Sequence, residues 1–154
     1  MPSLVVSNPQ SLKELVGREF EATGWFLVAQ DRIALFAEAT EDRQWIHLDR
    51  ARANEESPYG RTVAHGFLTL SLISHFLKSA IQIQNGVRLA VNYGLNRVRF
   101  PAAVHVDSRI RARVALVDLK GLPDCVAATF AVTIEREQSE KPACVAEWIV
   151  RYYS

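Results

Sequence analysis

Cysteine is scarce in this chain of 154 residues: Cys125 and Cys144 are the only two. They make no disulfide framework, and neither has a nearby Cys or His at metal-ligand spacing. The expectation is two buried thiols in a reducing compartment. An excess of charge is lacking too. Lys and Arg number 18 against 17 Asp and Glu, for a formal net charge of +1. That balance gives no global pull toward nucleic acid or an acidic membrane surface. Long hydrophobic runs are also missing. The most apolar stretch, Phe67–Leu77, is interrupted by Thr, Ser and His and falls far short of the ~20 residues a membrane span requires. The opening "MPSLVVSNPQSLKELVG" has no basic leader and no long apolar segment behind it. No secretory signal is expected, and the location is read as cytoplasmic. The chain also shows no internal repeat, low-complexity tract or Pro/Gly/Ser-rich linker.

What remains is an ordinary globular composition, 49% hydrophobic and 23% charged, enough for a sizeable core in one domain over residues 1–154. Ser11-Leu-Lys-Glu-Leu-Val-Gly17 reads as a short capped helix that stops at Gly17. Phe20–Ala29 reads as a strand. Asp31 is expected to N-cap a helix through Ala39, because Ile33, Ala34, Phe36 and Ala37 recur at helical spacing. A second short helix is expected from Asp49.

Gly66 to about Ile83 carries Phe67, Leu68, Leu70, Leu72, Ile73, Phe76 and Leu77, which leave no wide polar face. A helix apolar nearly all round is buried nearly all round. The second half of the chain supplies the wrapper. Ile110, Ala112, Val114 and Leu116 alternate with Arg109, Arg111 and Arg113. Val126–Ile134 and Cys144–Tyr152 repeat the period of two, the mark of strands with one buried face. Gly121-Leu-Pro123 and Glu137–Pro142 read as turns, and Arg88–Phe100 as a further strand. Connections this short force antiparallel pairing. The fold class is therefore α+β, a curled antiparallel sheet around one long central helix. A sheet that hugs a single helix leaves an edge uncovered, so a homodimer is expected.

Chemistry gathers around "TEDRQWIH", residues 40–47. Asp42 and His47 suit proton transfer, but five residues of continuous helix would set them roughly 140° apart. They converge only if the helix breaks near Thr40–Arg43, with Trp45 and Ile46 as apolar anchors against the core. Spacing alone favours a plainer reading, in which Asp42 caps a turn and His47 is a satisfied histidine. The second feature is "TVAHGFLTLSL", where His65 and Gly66 open the buried helix. Unpaired N–H groups at a helix start suit a developing oxyanion, and glycine leaves that approach open. Acid, base and oxyanion site together make a coherent constellation.

"FAEATEDRQWIHLD", followed by "GRTVAHGFLTLSLISHFL" and "AVNYGLNRVRFPAAV", resembles the MaoC-like dehydratases, the hot-dog-fold (R)-specific enoyl-CoA hydratases, and within them the NodN-like branch. The resemblance spans about 16–153. It implies a hot-dog homodimer in which Asp42 and His47 match the catalytic pair. It implies that Gly66 matches the glycine whose N–H polarises the thioester carbonyl, and that Ser74 matches a serine near the site. Against the family pattern Gly-Asp-x-Asn-Pro-(Leu/Ile/Val)-His, Gln44-Trp45 replaces Asn-Pro, which fits the NodN-like branch, and Glu41 replaces Gly, which would be strained if that backbone is left-handed and which sets a second carboxylate beside Asp42.

The implied reaction is reversible syn hydration of a trans-2-enoyl-CoA to a (3R)-3-hydroxyacyl-CoA, with no metal or redox cofactor; coenzyme A is part of the substrate. Asn96, Arg97 and Arg99 are candidates for binding its phosphates. The row Arg109, Arg111, Arg113 reads first as a solvated strand face. His65 reads as a structural neighbour of Gly66, and His75 and His105 have no identified role. A hot-dog acyl-CoA thioesterase and a non-catalytic acyl-CoA-binding dimer are the competing readings.

Overall fold

In a computed structural model that describes Pro2 and residues 4–154, the apolar periodicities become one hydrophobic core. Leu12, Ile33, Leu68, Ile73, Phe76 and Leu77 pack with the inward rows of three long strands, including Ile110, Leu116, Phe130, Ile134, Trp148 and Val150. The elements run β1 (Leu4–Val6), a 3-10 turn (Pro9–Leu15), β2 (Phe26–Val28), α1 (Gln30–Thr40), α2 (Trp45–Leu48) and α3 (Arg50–Glu56). They continue with α4 (Gly66–Ser71), α5 (Ile73–Ala80), β3 (Ile81–Ile83), β4 (Leu89–Arg99), β5 (Ser108–Gly121), β6 (Cys125–Arg136) and β7 (Cys144–Tyr153).

The main sheet has five strands in the order β2-β5-β6-β7-β4, and every pairing within it is antiparallel. The expected hairpins are present: β5 turns into β6 beyond Gly121, and β6 into β7 after Glu137. Along β5, Ile110, Ala112, Val114 and Leu116 are all buried, and the alternate residues face outward. Both cysteines are free and buried, and burial pushes the Cys144 thiol up to about 11.

The outward arginines are occupied. Arg111 stands opposite Glu135 and bonds to it at 2.7 Å. Arg109 holds Glu137 through two bonds of 2.5 and 2.9 Å. Arg113 holds Glu19 at 2.8 Å. This is the solvated, paired face expected of cross-strand opposite charges.

Several boundaries differ from the sequence expectation. The first turn is a 3-10 helix capped by Asn8, whose Oδ1 accepts from Ser11 N–H at 3.0 Å; Ser11 does not cap it. Of the strand expected over Phe20–Ala29, only Phe26–Val28 pairs continuously, and Glu19 makes a single bridge to Ala115. Asp31 lies inside α1, where its carboxylate accepts from Arg32 N–H at 2.7 Å. Asp49 does cap α3, accepting from Arg52 N–H at 3.0 Å.

The central helix is jointed. α4 and α5 meet at Leu72, whose N–H is shared between the Leu68 and Thr69 carbonyls. Its last expected residues form β3, which pairs in parallel with β1. Nor is it buried all round, because Phe67 is 68% exposed beside Phe100. β4 is hydrogen-bonded only along its β7 side within this sheet, and Leu89, Val91, Tyr93 and Leu95 are exposed on it. Among the described residues, no helix is long and apolar enough to cross a membrane.

Candidate active site

The break needed between Asp42 and His47 begins at Glu41. α1 ends there, with Glu41 in the left-handed region at φ 63°, ψ 11°. Reversing the chain at a helix C-terminus by this conformation is usual, but glycine is the usual residue for it. A Cβ in that region adds steric strain. The side chain partly compensates. Arg43 pairs with Glu41 and also, at 2.6 Å, with Glu38, and its guanidinium holds the Glu38 carboxyl below its ordinary range. The Glu41 carboxylate is thus turned to Arg43.

Helix resumes at Trp45 and buries His47, which is 6% exposed. Trp45 and Ile46 are only half-buried, a correction to their expected role as core anchors. The Arg52 guanidinium covers the Trp45 ring at 4.2 Å. What holds His47 is the segment 62–65. The His47 Nδ1 lies 2.6 Å from the Val63 carbonyl oxygen, and Val63 N–H donates to the Ile46 carbonyl at 3.0 Å. The buried Thr62 hydroxyl donates to Gln30 Oε1 at 2.6 Å, and Gln30 Nε2 donates to the His47 carbonyl at 2.7 Å.

A carbonyl only accepts, so His47 Nδ1 carries the proton and Nε2 keeps its lone pair. Desolvation lowers the His47 pKa, opposed by the bond to Val63; nearby His65 adds to the lowering and Asp42 opposes it. A neutral imidazole with a bare Nε2 is the form a general base requires.

His65, 2% exposed, stacks on this ring with centroids 3.7 Å apart and planes 24° apart. Its Nε2 donates to the Asp42 main-chain carbonyl at 2.9 Å. Asp42 is itself exposed, yet a carboxylate oxygen and one nitrogen from each histidine lie within 4.8 Å of one another. Such a cluster has the donor types of a metal site. Stacked rings, however, hold their lone pairs in near-parallel planes, which do not converge as tetrahedral ligands must. Gly66 follows directly as the first residue of α4, where N–H groups have no acceptor within the helix. A Cβ there would meet the Phe100 ring at 3.1 Å.

The other sequence candidates lie elsewhere. Ser74, on α5, lines a cavity of about 550 Å³ with Leu77, Ile81, Val87, Trp148 and Val150; Asp42, His47 and Gly66 are not in its lining. Asn96 bonds to Glu147 at 3.1 Å. Arg97 has φ 52° within the irregular β4 register between Asn96 and Arg99. Arg99 is exposed and donates to the adjacent Val98 carbonyl at 2.8 Å. His75 packs beside Phe26 and Phe76, and His105 beside Tyr59. Sequence reasoning missed the Thr62–Gln30 link and the Val63 carbonyl, and it read His65 as a structural neighbour of Gly66 without its stack on His47. A main-chain carbonyl has no residue signature; the His-Gly pair at a helix start was the available signal for His65.

Residues 11–150 match the family described as MaoC like domain. The chain belongs to the MaoC-like dehydratase family. A 3-hydroxyacyl-thioester dehydratase Z from Mycobacterium tuberculosis is 49% identical over 142 residues, 92% of this chain and 93% of that one. Nodulation protein N of Rhizobium leguminosarum bv. viciae is 43% identical over 136 residues, 87% of this chain and 84% of that one, in keeping with a NodN-like character. The solved (R)-hydratase from A. caviae involved in PHA biosynthesis superposes with a TM-score of 0.70 at 25% identity, covering 86% of this chain and 95% of that one. A monoamine oxidase regulatory protein structure from Archaeoglobus shares the fold, with a TM-score of 0.77 at 19% identity over 100% of this chain and 99% of that one. The MaoC-like chain is thus a hot-dog protein and an enzyme of the hydratase/dehydratase class.

Two predictions follow from the turn and from the buried ring. Replacing Glu41 with Gly relieves the left-handed Cβ and forfeits only an exposed ion pair, which contributes little. The unfolding free energy should rise by about 1 kcal/mol, read as a higher urea midpoint. His47 is held neutral, so its contribution is complete above its ordinary pKa near ~6.5 and is lost as pH falls through that value toward the lowered folded one. Urea midpoints between pH 7 and pH 5 should therefore fall more steeply for the wild type than for His47→Gln.

Proposed function

We propose that this MaoC-like enzyme hydrates trans-2-enoyl-CoA to (3R)-3-hydroxyacyl-CoA, reversibly and with syn addition. The observation that carries the reading is the buried His47 ring, whose Nδ1 is committed to the Val63 carbonyl, in one cluster with the Asp42 carboxylate. In the hydration direction Nε2 takes a proton from water as the water oxygen bonds to C3. The π electrons move toward the thioester oxygen, where the Gly66 N–H stabilises the developing charge. The imidazolium then returns the proton to C2, and no net proton is gained or lost. The exposed Asp42 carboxylate orients the water by accepting its other hydrogen. No step requires a metal or redox cofactor.

The Ser74 cavity, about 550 Å³, is of the size that ligand pockets occupy, and we assign it to the acyl chain. Asn96 and the exposed Arg97 and Arg99 are assigned to the phosphates of coenzyme A. Arg109, Arg111 and Arg113 are not, because carboxylates already hold them. The apolar, one-sided edge of β4 favours a homodimer, since an open edge of this kind invites pairing with a copy of itself. Sedimentation equilibrium should give twice the 17.3 kDa of one chain; a single-chain mass would reject the dimer.

The decisive assay follows loss of enoyl absorbance over a chain-length series of trans-2-enoyl-CoAs, with chiral analysis of the product. Asp42→Asn and His47→Gln should each lower kcat by about 10²–10⁴-fold. An (S)-product would reject the stereochemistry. Free thiol released from acyl-CoA without hydroxyacyl product would instead identify a thioesterase. Saturable acyl-CoA binding without turnover, unaltered in both variants, would identify a binding dimer.

A further inference from the structure

The imidazole of His65 is costly to bury as it stands. It is 2% exposed, and its Nδ1 has no hydrogen-bond partner among the described residues. Buried polar atoms are nearly always satisfied, and an unsatisfied one lowers stability. A phenylalanine or leucine would fill the same space without that cost. Exceptions to polar satisfaction concentrate where function sets the requirement.

The connections His65 does make all lead to the reacting groups. Nε2–H reaches the Asp42 carbonyl at 2.9 Å, which fixes the loop that carries the carboxylate. One face of the ring lies on His47 at 3.7 Å, and Phe36 packs against it at 5.0 Å. The main-chain carbonyl of His65 accepts the N–H groups of Leu68 and Thr69 and so opens α4, whose first residue is Gly66. One residue therefore touches the Asp42 loop, the His47 ring and the helix start. Asp42 has no strong side-chain tether of its own, for its carboxylate meets Gln44 N–H only at 3.5 Å.

We propose that His65 is the positioning residue of the site, fixing the Asp42 loop by its Nε2–H and the His47 ring by stacking. It touches no substrate in this scheme and acts through the other two. The proposal rests on the hydratase reading for its kinetic consequence but not for its structural one. Misplacement of a reacting group by about 1 Å costs on the order of 10²-fold in rate.

Two substitutions separate the two connections. His65→Phe keeps a ring for the stack and removes the N–H; His65→Gln keeps an N–H that reaches Asp42 and removes the ring. With crotonyl-CoA as probe, each should lower kcat by roughly 10–10²-fold and move KM by less than about threefold. The 15N shifts of the His47 imidazole supply a second readout. All three should report a proton on Nδ1, held there by the Val63 carbonyl, with sharp signals in the wild type and His65→Phe and broadened ones in His65→Gln, whose His47 ring has lost its stack. Variants that keep the wild-type kcat and leave the His47 signals unchanged would overturn the proposal. A kcat loss matched by an equal fall in folded fraction would overturn it as well. Should the phenylalanine variant not fold, the glutamine variant and its nitrogen spectrum decide alone. A wild type that does not hydrate crotonyl-CoA, or any longer enoyl-CoA, would reject the hydratase reading, and the comparison of His47 nitrogen spectra would still judge His65.

Discussion

The hydrogen bond from His47 Nδ1 to the Val63 carbonyl, 2.6 Å long and buried, is the constraint on which the site depends. It fixes which nitrogen carries the proton and which keeps its lone pair, and together with the His65 stack it sets the direction of the ring. It also forces residues 62–65 to run alongside 46–47, and the Val63 N–H bond to Ile46 returns the connection. From that seam the chain passes directly into α4. His47, the Asp42 loop and the helix start are consequently tied together by hydrogen bonds, though they are far apart in sequence. Gln30 and Thr62 lock the same seam from the α1 side.

Much of the scaffold was legible because burial on one face writes itself into alternating residues. The rows along β5, β6 and β7 were readable for that reason, and so were the turns between them. The β1–β3 pair was not, because three-residue strands in parallel are shorter than any period that can be recognised. The break at Leu72 was hidden for a different reason. A helix that bends while keeping its apolar residues inward leaves the sequence pattern intact. At the candidate site, Asp42, His47 and Gly66 were singled out by residue type and by resemblance, while their spacing alone favoured a plainer reading. Their means of convergence was not legible, since it runs through the carbonyls of Val63 and Asp42, groups that every residue possesses. Ser74 and the β4 arginines were drawn in by resemblance, and in one chain they line other surfaces.

Two unfavourable local choices coincide here. Glu41 takes a backbone conformation suited to glycine, and His65 buries a nitrogen with no partner among the described residues. Each costs stability on its own, and each flanks Asp42 or contacts its main chain. Local conflict of this kind is expected where a fold is shaped by chemistry as well as by packing. The fully buried rows of Ile110, Leu116, Phe130 and Ile134 supply the compensating burial.

The arginine–glutamate ladder outside β5 and β6 has a consequence for how the chain finds its fold. Arg111 stands opposite Glu135, with Arg109–Glu137 on one side and Arg113–Glu19 on the other. A slip of one residue would swing all three guanidinium groups into the core that wraps α4 and α5. A slip of two would keep them outside but leave at least one of them without a carboxylate partner. The charged face therefore works as a proofreading device: only one alignment of the two longest strands leaves every arginine both wet and neutralised.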